Sequence, residues 1–352
     1  VPALFGPLFR EGWRIKFAHR TFKWDSEAPG KAAVHCVVVG FTRDREAKSR
    51  LWDYPDVKGE PVEQSVGHGI NAYLIDGPNV LVAKRMQPLS SELPRALFGS
   101  KPVDGGNLIV ETKDYDEVVA DPIAAKYLRP FRMGKELVRG LDRWCLWMGD
   151  TDFAPADISK SPVLKRRVEA VREMRLGSKK KATQRSADTP YLFQEDHQPD
   201  CAYVGIPAVV SETRRFYTAA QLGPEVIAGN KLFTAVDPDG LLFGLISSSM
   251  FITWQKTVGG RLKSDLNFAN TLTWNTFPVP ELDEKARQKI IKAGKKVLDA
   301  RALHPERSLA EHYTPLAMAP ELIKAHDGLD REVDKAFGAP RKLTTIRQRQ
   351  EL

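Results

Sequence analysis

Residues 254–280 read WQKTVGGRLKSDLNFANTLTWNTFPVP, and the reading of this stretch decides the rest. A Gly259-Gly260 bend is followed by the basic triplet Arg261-Leu262-Lys263, then an aromatic run, then an exit broken by Pro278 and Pro280. Taken as residue chemistry alone, the glycine pair is a helix stop ahead of a strand, and Ser264-Asp265 is a cap or a turn. The same glycines let backbone approach a partner closely, with Lys256, Arg261, Lys263 and Asn267 gathered round the bend. Residues 270–276 (NTLTWNT) predict a strand ended by Phe277-Pro278.

Outward from there, the chain has 352 residues, 42% hydrophobic and 28% charged, enough for two or three cores. A net charge of +8 suits a polyanionic partner without requiring one. Cys36, Cys145 and Cys201 are odd in number and widely spaced, with no CxxC pair, which reads as free thiols in a reducing compartment. No apolar run is long enough to span a membrane, and no secretory pattern is present. The chain opens mid-pattern at Val1 without an initiator Met, as a truncated chain would.

Short strands and helices alternate. Residues 14–24 and 32–42 predict a hairpin whose turn, 25–31, holds Pro29-Gly30; the second strand is apolar enough to be buried on both faces. Two strands are not stable alone and must finish a larger sheet. Residues 42–63 read as a linker. Strands are expected at 70–75, 80–83, 108–112, 143–148 and 203–210, a helix at 115–128, and a helix start within 241–251. The end of the chain is helical. A helix from near Pro320 carries Leu322, Ala325, Leu329, Val333 and Phe337 on one face, stops at Gly338 and Pro340, and leaves a basic tail, 341–352, that frays.

The clearest basic element is 162–185. Leu164, Val168, Val171 and Met174 recur at helical spacing behind Pro162. From 163 to 187 there are nine cations against Glu169 and Glu173, a net +7. This is either a solvated face with a basic loop or an arm that contacts phosphates. Glu212, Arg214 and Arg215 form a surface salt-bridge set or a base-reading set, since Arg bonds guanine and Glu accepts from cytosine. Asp104, Glu111 and Lys113 echo the loose Pro-Asp…Glu-x-Lys pattern of metal-dependent nucleases, although an acid-turn-acid-Lys order recurs by chance. His19 has no acid or nucleophile set around it, and Phe22 and Trp24 read as packing residues. An amino-methyltransferase needs a Gly-rich loop and an [Asp/Asn/Ser]-Pro-Pro-aromatic turn; no Pro-Pro occurs in the chain, and Gly67-His68-Gly69 lacks a third glycine.

With residues 19–24 (HRTFKW) and 104–108 (DGGNL), the 254–280 stretch resembles the back half of the MmeI-like (type IIL/IIG) adenine-specific DNA methyltransferases of fused restriction–modification type. The resemblance implies a mixed α/β (α+β) fold in three parts. Residues 1–48 would be the terminal hairpin of the methyltransferase catalytic domain, 49–280 a DNA target-recognition domain, and 281–352, with His312-Tyr313 and 316–326 (LAMAPELIKAH), a helical C-terminal extension. It implies a recognition module of a bacterial, cytoplasmic enzyme that methylates adenine N6 with S-adenosylmethionine. The module itself would hold no cofactor, no catalytic residue and no metal, and would be inactive alone. Its partners would be double-stranded DNA and the upstream methyltransferase domain of the same polypeptide, with no membrane. Phosphates would be held by Arg166, Arg167, Lys179, Lys180, Lys181, Arg185, Lys256, Arg261 and Lys263, and bases read by Ser211, Glu212, Arg214 and Arg215. The sequence departs from the family's usual G-R-L-x-S-x-x-R-Y-S at Leu266-Asn267-Phe268-Ala269-Asn270, which lacks that arginine. The alternatives are a metal-dependent nuclease using Asp104, Glu111 and Lys113, and an adaptor whose basic helix serves acidic protein partners.

Overall fold

The N-terminal hairpin forms: Arg14–Trp24 pairs antiparallel with Val34–Thr42. The computed structural model describes residues 1–24 and 34–352, so the expected turn and the first residues of the second strand lie outside the described residues. The stretch read as a linker supplies two more strands. Arg50–Asp53 runs parallel to Arg14–Trp24, and Val62–Gln64 closes a four-stranded sheet. The cause is Leu51, which sits opposite Ala18 and is buried with Phe5, Ile15 and Ile70 under the helix Pro2–Arg10. Val34–Thr42 is the outer strand, and Val37 and Val38 are 52% and 39% exposed, so its apolar sequence does not mean cover on both faces. Residues 70–75 and 80–83 are not strands. Side chains take up the backbone donors there: Asn71 Oδ1 accepts from Tyr73 and Ile75, and only isolated bridges remain at Ile70.

A second core is built on a four-stranded sheet of Ile109–Val110, Trp144–Leu146, Leu128–Arg132 and Ile227–Ala228. The helix expected over 115–128 breaks after Ala120, because the Asp121 carboxylate accepts from Ile123 and Ala124 and starts a separate 3-10 turn. The basic helix, Pro162–Leu176, is capped by Ser161, whose hydroxyl accepts from the Leu164 amide, and buries Leu164, Val168 and Val171 against this sheet.

The largest core lies under the sheet Ala220–Leu222, Tyr203–Pro207, Leu232–Val236 and Leu97–Phe98. The helices Leu241–Ile246 and Ser249–Val258 follow it, and residues 270–276 form a π-helical turn, Asn270–Trp274, in place of the expected strand. The Trp274 and Asn275 amides donate to the Ala269 and Asn270 carbonyls, and Thr273 Oγ1, donating to the Ala269 carbonyl, and the buried Trp274 indole, donating to the Pro94 carbonyl, reinforce the turn. The C-terminal helices Glu284–Ala302 and Pro320–Ala336 join this same core through Ile290, Val297, Leu322, Leu329 and Val333. The tail is pinned rather than frayed: a last helix, Ile346–Glu351, sends Arg349 between Asp330 and Asp334. The whole is a mixed α/β fold of several small sheets and helices, and among the described residues no helix is long and apolar enough to cross a membrane.

Candidate nucleic-acid interface

The glycine pair stops a helix, as its chemistry requires. Ser249–Val258 ends before Gly259, and Gly260–Leu262 turns back on Asp265–Asn267 in a hairpin. The two-residue connection places Lys263 in the left-handed region, φ 57°, at an exposed tip. Val209–Val210 pairs with the other edge of Asp265–Asn267, so the chain leaving Val210 enters residues 211–215 beside the hairpin.

These two stretches are knitted together. Arg214 N–H closes a turn on the Ser211 carbonyl, and the Ser211 and Thr213 hydroxyls lie 3.1 Å apart. Arg261 donates to Glu212 at 3.0 Å and to the Ser264 carbonyl at 2.7 Å, while Lys256 Nζ donates to the Arg214 carbonyl. Burial lowers the pKa of the Lys256 ammonium, with neighbouring Arg261 adding to the effect. The residues expected to read bases and the cations of 256–263 thus share one site. Glu212 and Arg261 stand about two-fifths exposed at its surface. Arg214 does not point outward with them. Its guanidinium is half-buried, donates to the Ala310 carbonyl at 2.7 Å, and has its pKa lowered by burial, which corrects the reading of Arg214 as a groove-facing residue. Arg215 is exposed, 3.6 Å from Asp327 and over the Phe216 ring.

The basic helix lies on the other core, and its cations divide. Arg167 is buried: it donates to the carbonyls of Asn107 and Ile109 and lies 3.5 Å from Asp114, so it fastens the DGGNL turn and is not free for a phosphate. Arg175 is buried as well. Arg166 is exposed but paired with Glu117 at 2.7 Å. Lys179, Lys180, Lys181 and Arg185 are exposed and make no ion pair among the described residues.

The nuclease pattern does not assemble. The buried Asp104 carboxylate accepts from the Leu108 and Ile109 amides and closes a turn through Gly105 and Gly106, both at positive φ. Glu111 is held by Arg143, and Lys113 is exposed on a 3-10 turn. Among the described residues no group of three or more His, Cys, Asp or Glu could hold a metal. The Gly67-His68-Gly69 amides are no cofactor cradle either, since all three donate to the Asp76 carboxylate. His19 stacks on Trp52 with 4.5 Å between centroids and bonds the Tyr54 hydroxyl.

Sequence reasoning missed one cluster. Asp327, Asp330 and Asp334 recur at helical spacing on Pro320–Ala336 and, with Arg331, Arg349 and Lys342, line a cavity of about 420 Å³ against residues 213–215. The three-four spacing of those acids was a legible stripe beside the apolar one, obscured by the reading of 341–352 as a loose tail.

Three family models match most of this chain. Residues 1–53 match "MmeI, DNA-methyltransferase domain", residues 76–281 match "MmeI, target recognition domain", and residues 282–351 match "MmeI, C-terminal domain". The chain belongs to the MmeI family. It is similar to DNA methyltransferase A of Bacillus subtilis (strain 168), with 33% identity over 338 residues, covering 96% of this chain and 37% of that protein. It is also similar to a solved structure of the type IIL restriction–modification enzyme MmeI in complex with DNA, at 38% identity and a TM-score of 0.84, covering 99% of this chain and 46% of that one. This MmeI-like chain therefore spans less than half the length of both relatives. The target-recognition model covers the Glu212–Arg261 site, and the C-terminal model begins just beyond Pro280.

Proposed function

We propose that this chain is the DNA sequence-reading part of an S-adenosylmethionine-dependent, adenine-N6-specific DNA methyltransferase of a bacterial restriction–modification system. The observation that carries it is the Glu212–Arg261 pair: a base-matching carboxylate beside a phosphate-matching guanidinium, both partly exposed, on a turn and a hairpin held in register. A relative solved in complex with DNA supports the same reading. Exposed Lys263 at the hairpin tip and Lys179, Lys180, Lys181 and Arg185 beyond the basic helix hold phosphates and so position the module without reading sequence. The chain's own residues do not fit S-adenosylmethionine, for want of a Gly-rich cradle and a Pro-Pro turn; in this reading methyl transfer belongs to portions of the relatives that this chain does not span. The free cysteines suit a reducing cytoplasm.

Binding-site selection on random duplexes tests the division of labour. Glu212→Gln relaxes preference at one position of the site, at a cost of about 1–3 kcal/mol in discrimination. Lys180→Ala weakens all sequences alike and reduces the salt slope of log affinity by about 1. Identical selection profiles for the two variants would refute the assignment.

A further inference from the structure

The cavity of about 420 Å³ lies where residues 213–215 meet the helices Ser249–Val258 and Pro320–Ala336 and residues 342–346. Its charges do not balance. Arg349 takes both oxygens of Asp334, at 2.9 and 2.7 Å, and reaches Asp330, whose carboxylate also accepts the Ser249 amide and hydroxyl. Those two acids are spent. Asp327 alone remains, against Arg214, Arg215, Lys256, Arg331 and Lys342.

Two of those cations are partly withdrawn from water with donors to spare. Arg214 gives one N–H to Ala310 and Lys256 gives one to the Arg214 carbonyl; their remaining donors meet no acceptor among the described residues. Thr253, which also lines the cavity, is 3% exposed, and its hydroxyl has no hydrogen-bond partner among the described residues. A buried hydroxyl without a partner is costly, and so is a desolvated cation without an acceptor. One ligand chemistry relieves both: a small anion with several acceptor oxygens, which matches the guanidinium fork and the compact ammonium.

We propose that this cavity is a phosphate-binding site built jointly by the recognition region and the C-terminal helices, with Arg214, Lys256, Arg331, Lys342 and Thr253 as its donors. The phosphate comes from the DNA backbone or from a free phosphate ion. Only the first source rests on the sequence-reading function proposed above.

Inorganic phosphate is titrated into the protein at constant ionic strength, with chloride as control, and read by calorimetry and thermal melting. Saturable binding is expected, with a rise in melting temperature that chloride does not give. Arg331→Gln and Lys342→Gln each weaken it by about tenfold or more, as loss of a charge-assisted bond should. Lys292→Gln, an exposed position on Glu284–Ala302 that does not line the cavity, leaves it unchanged. Thr253→Val raises the melting temperature without phosphate and shrinks the phosphate-induced rise, a pair of effects that mere misfolding cannot produce. No saturable response, or equal responses in wild type, Arg331→Gln and Lys342→Gln, overturns the site. Competition with a duplex oligonucleotide separates the sources. Displacement of phosphate by duplex supports a backbone phosphate, and phosphate binding indifferent to duplex supports the free ion. Phosphate binding by a protein that binds no duplex refutes the sequence-reading function and leaves the cavity standing; duplex binding without a phosphate response does the reverse.

Discussion

Arg175 donates hydrogen bonds to five backbone carbonyls, those of Pro102, Val103, Ser186, Thr189 and Leu192. No carboxylate pairs with it in the described structure, and burial lowers the pKa of its guanidinium. It closes residues 102–103 and 186–192 onto the basic helix, using all five donors of the fork. Arg175→Ala orphans those carbonyls and should cost about 3 kcal/mol or more, read as a lower urea midpoint. Arg175→Lys restores only part of the loss, because an ammonium has three donors and no planar fork. A midpoint unchanged in Arg175→Ala would show that water replaces the fork. The Glu212–Arg261 pair behaves in the opposite way. Both side chains are partly exposed, so the pair is worth about 0–1 kcal/mol and either member can give up its partner at small cost.

At the scale of elements, two contacts hold the C-terminal helices in place. Gly244 on Leu241–Ile246 faces Gly294 on Glu284–Ala302, and a Cβ at Gly244 would stand 2.9 Å from Ile290 Cγ2 and 3.2 Å from the Ile290 carbonyl oxygen. Backbone there cannot yield as a flexible side chain would. Gly244→Val should destabilise by about 1–3 kcal/mol, seen in thermal melts; a melting temperature equal to wild type would mean that the helices slide apart without penalty. The second contact is Arg349 between Asp330 and Asp334. Burial raises both carboxyl pKa values, against the lowering effect of Arg349 and, at Asp330, of Ser249. A folded pKa above the unfolded one favours folding at low pH, and that contribution is lost as pH rises through the folded value. Arg349→Ala removes the cation that offsets this loss. Its deficit should be about 3 kcal/mol at pH 7 and shrink toward pH 4 as the acids protonate. Denaturation across that range checks the sign, and a deficit that grows on acidification would contradict the assignment.

Across the whole molecule, the recognition region and the C-terminal helices share one core, running from Val204 and Phe251 to Leu322 and Val333. Removing residues 282–352 would strip Phe216 of Tyr313 and His326, Phe243 of Gly294 and Arg301, and Phe277 of Phe337. The truncated chain should lose its cooperative unfolding transition; a sharp two-state melt after truncation would show that the recognition region stands alone. Much of this architecture was legible in local chemistry. The Gly259-Gly260 stop ahead of a strand, the basic helix begun at Pro162 and the apolar stripe from Leu322 to Val333 follow from turn residues, proline placement and periodicity, which act over a few residues. The sheet strands at 50–53 and 62–64, the π-helical turn at Asn270–Trp274 and the inward rotation of Arg167, Arg175 and Arg214 were not legible, because each is set by partners far along the chain. Sequence by itself determined the charge and the family, and it singled out the stretch around position 212. Tertiary structure alone decided which cations face solvent, since a guanidinium serves a buried carbonyl or an exposed phosphate equally well and only packing selects between them.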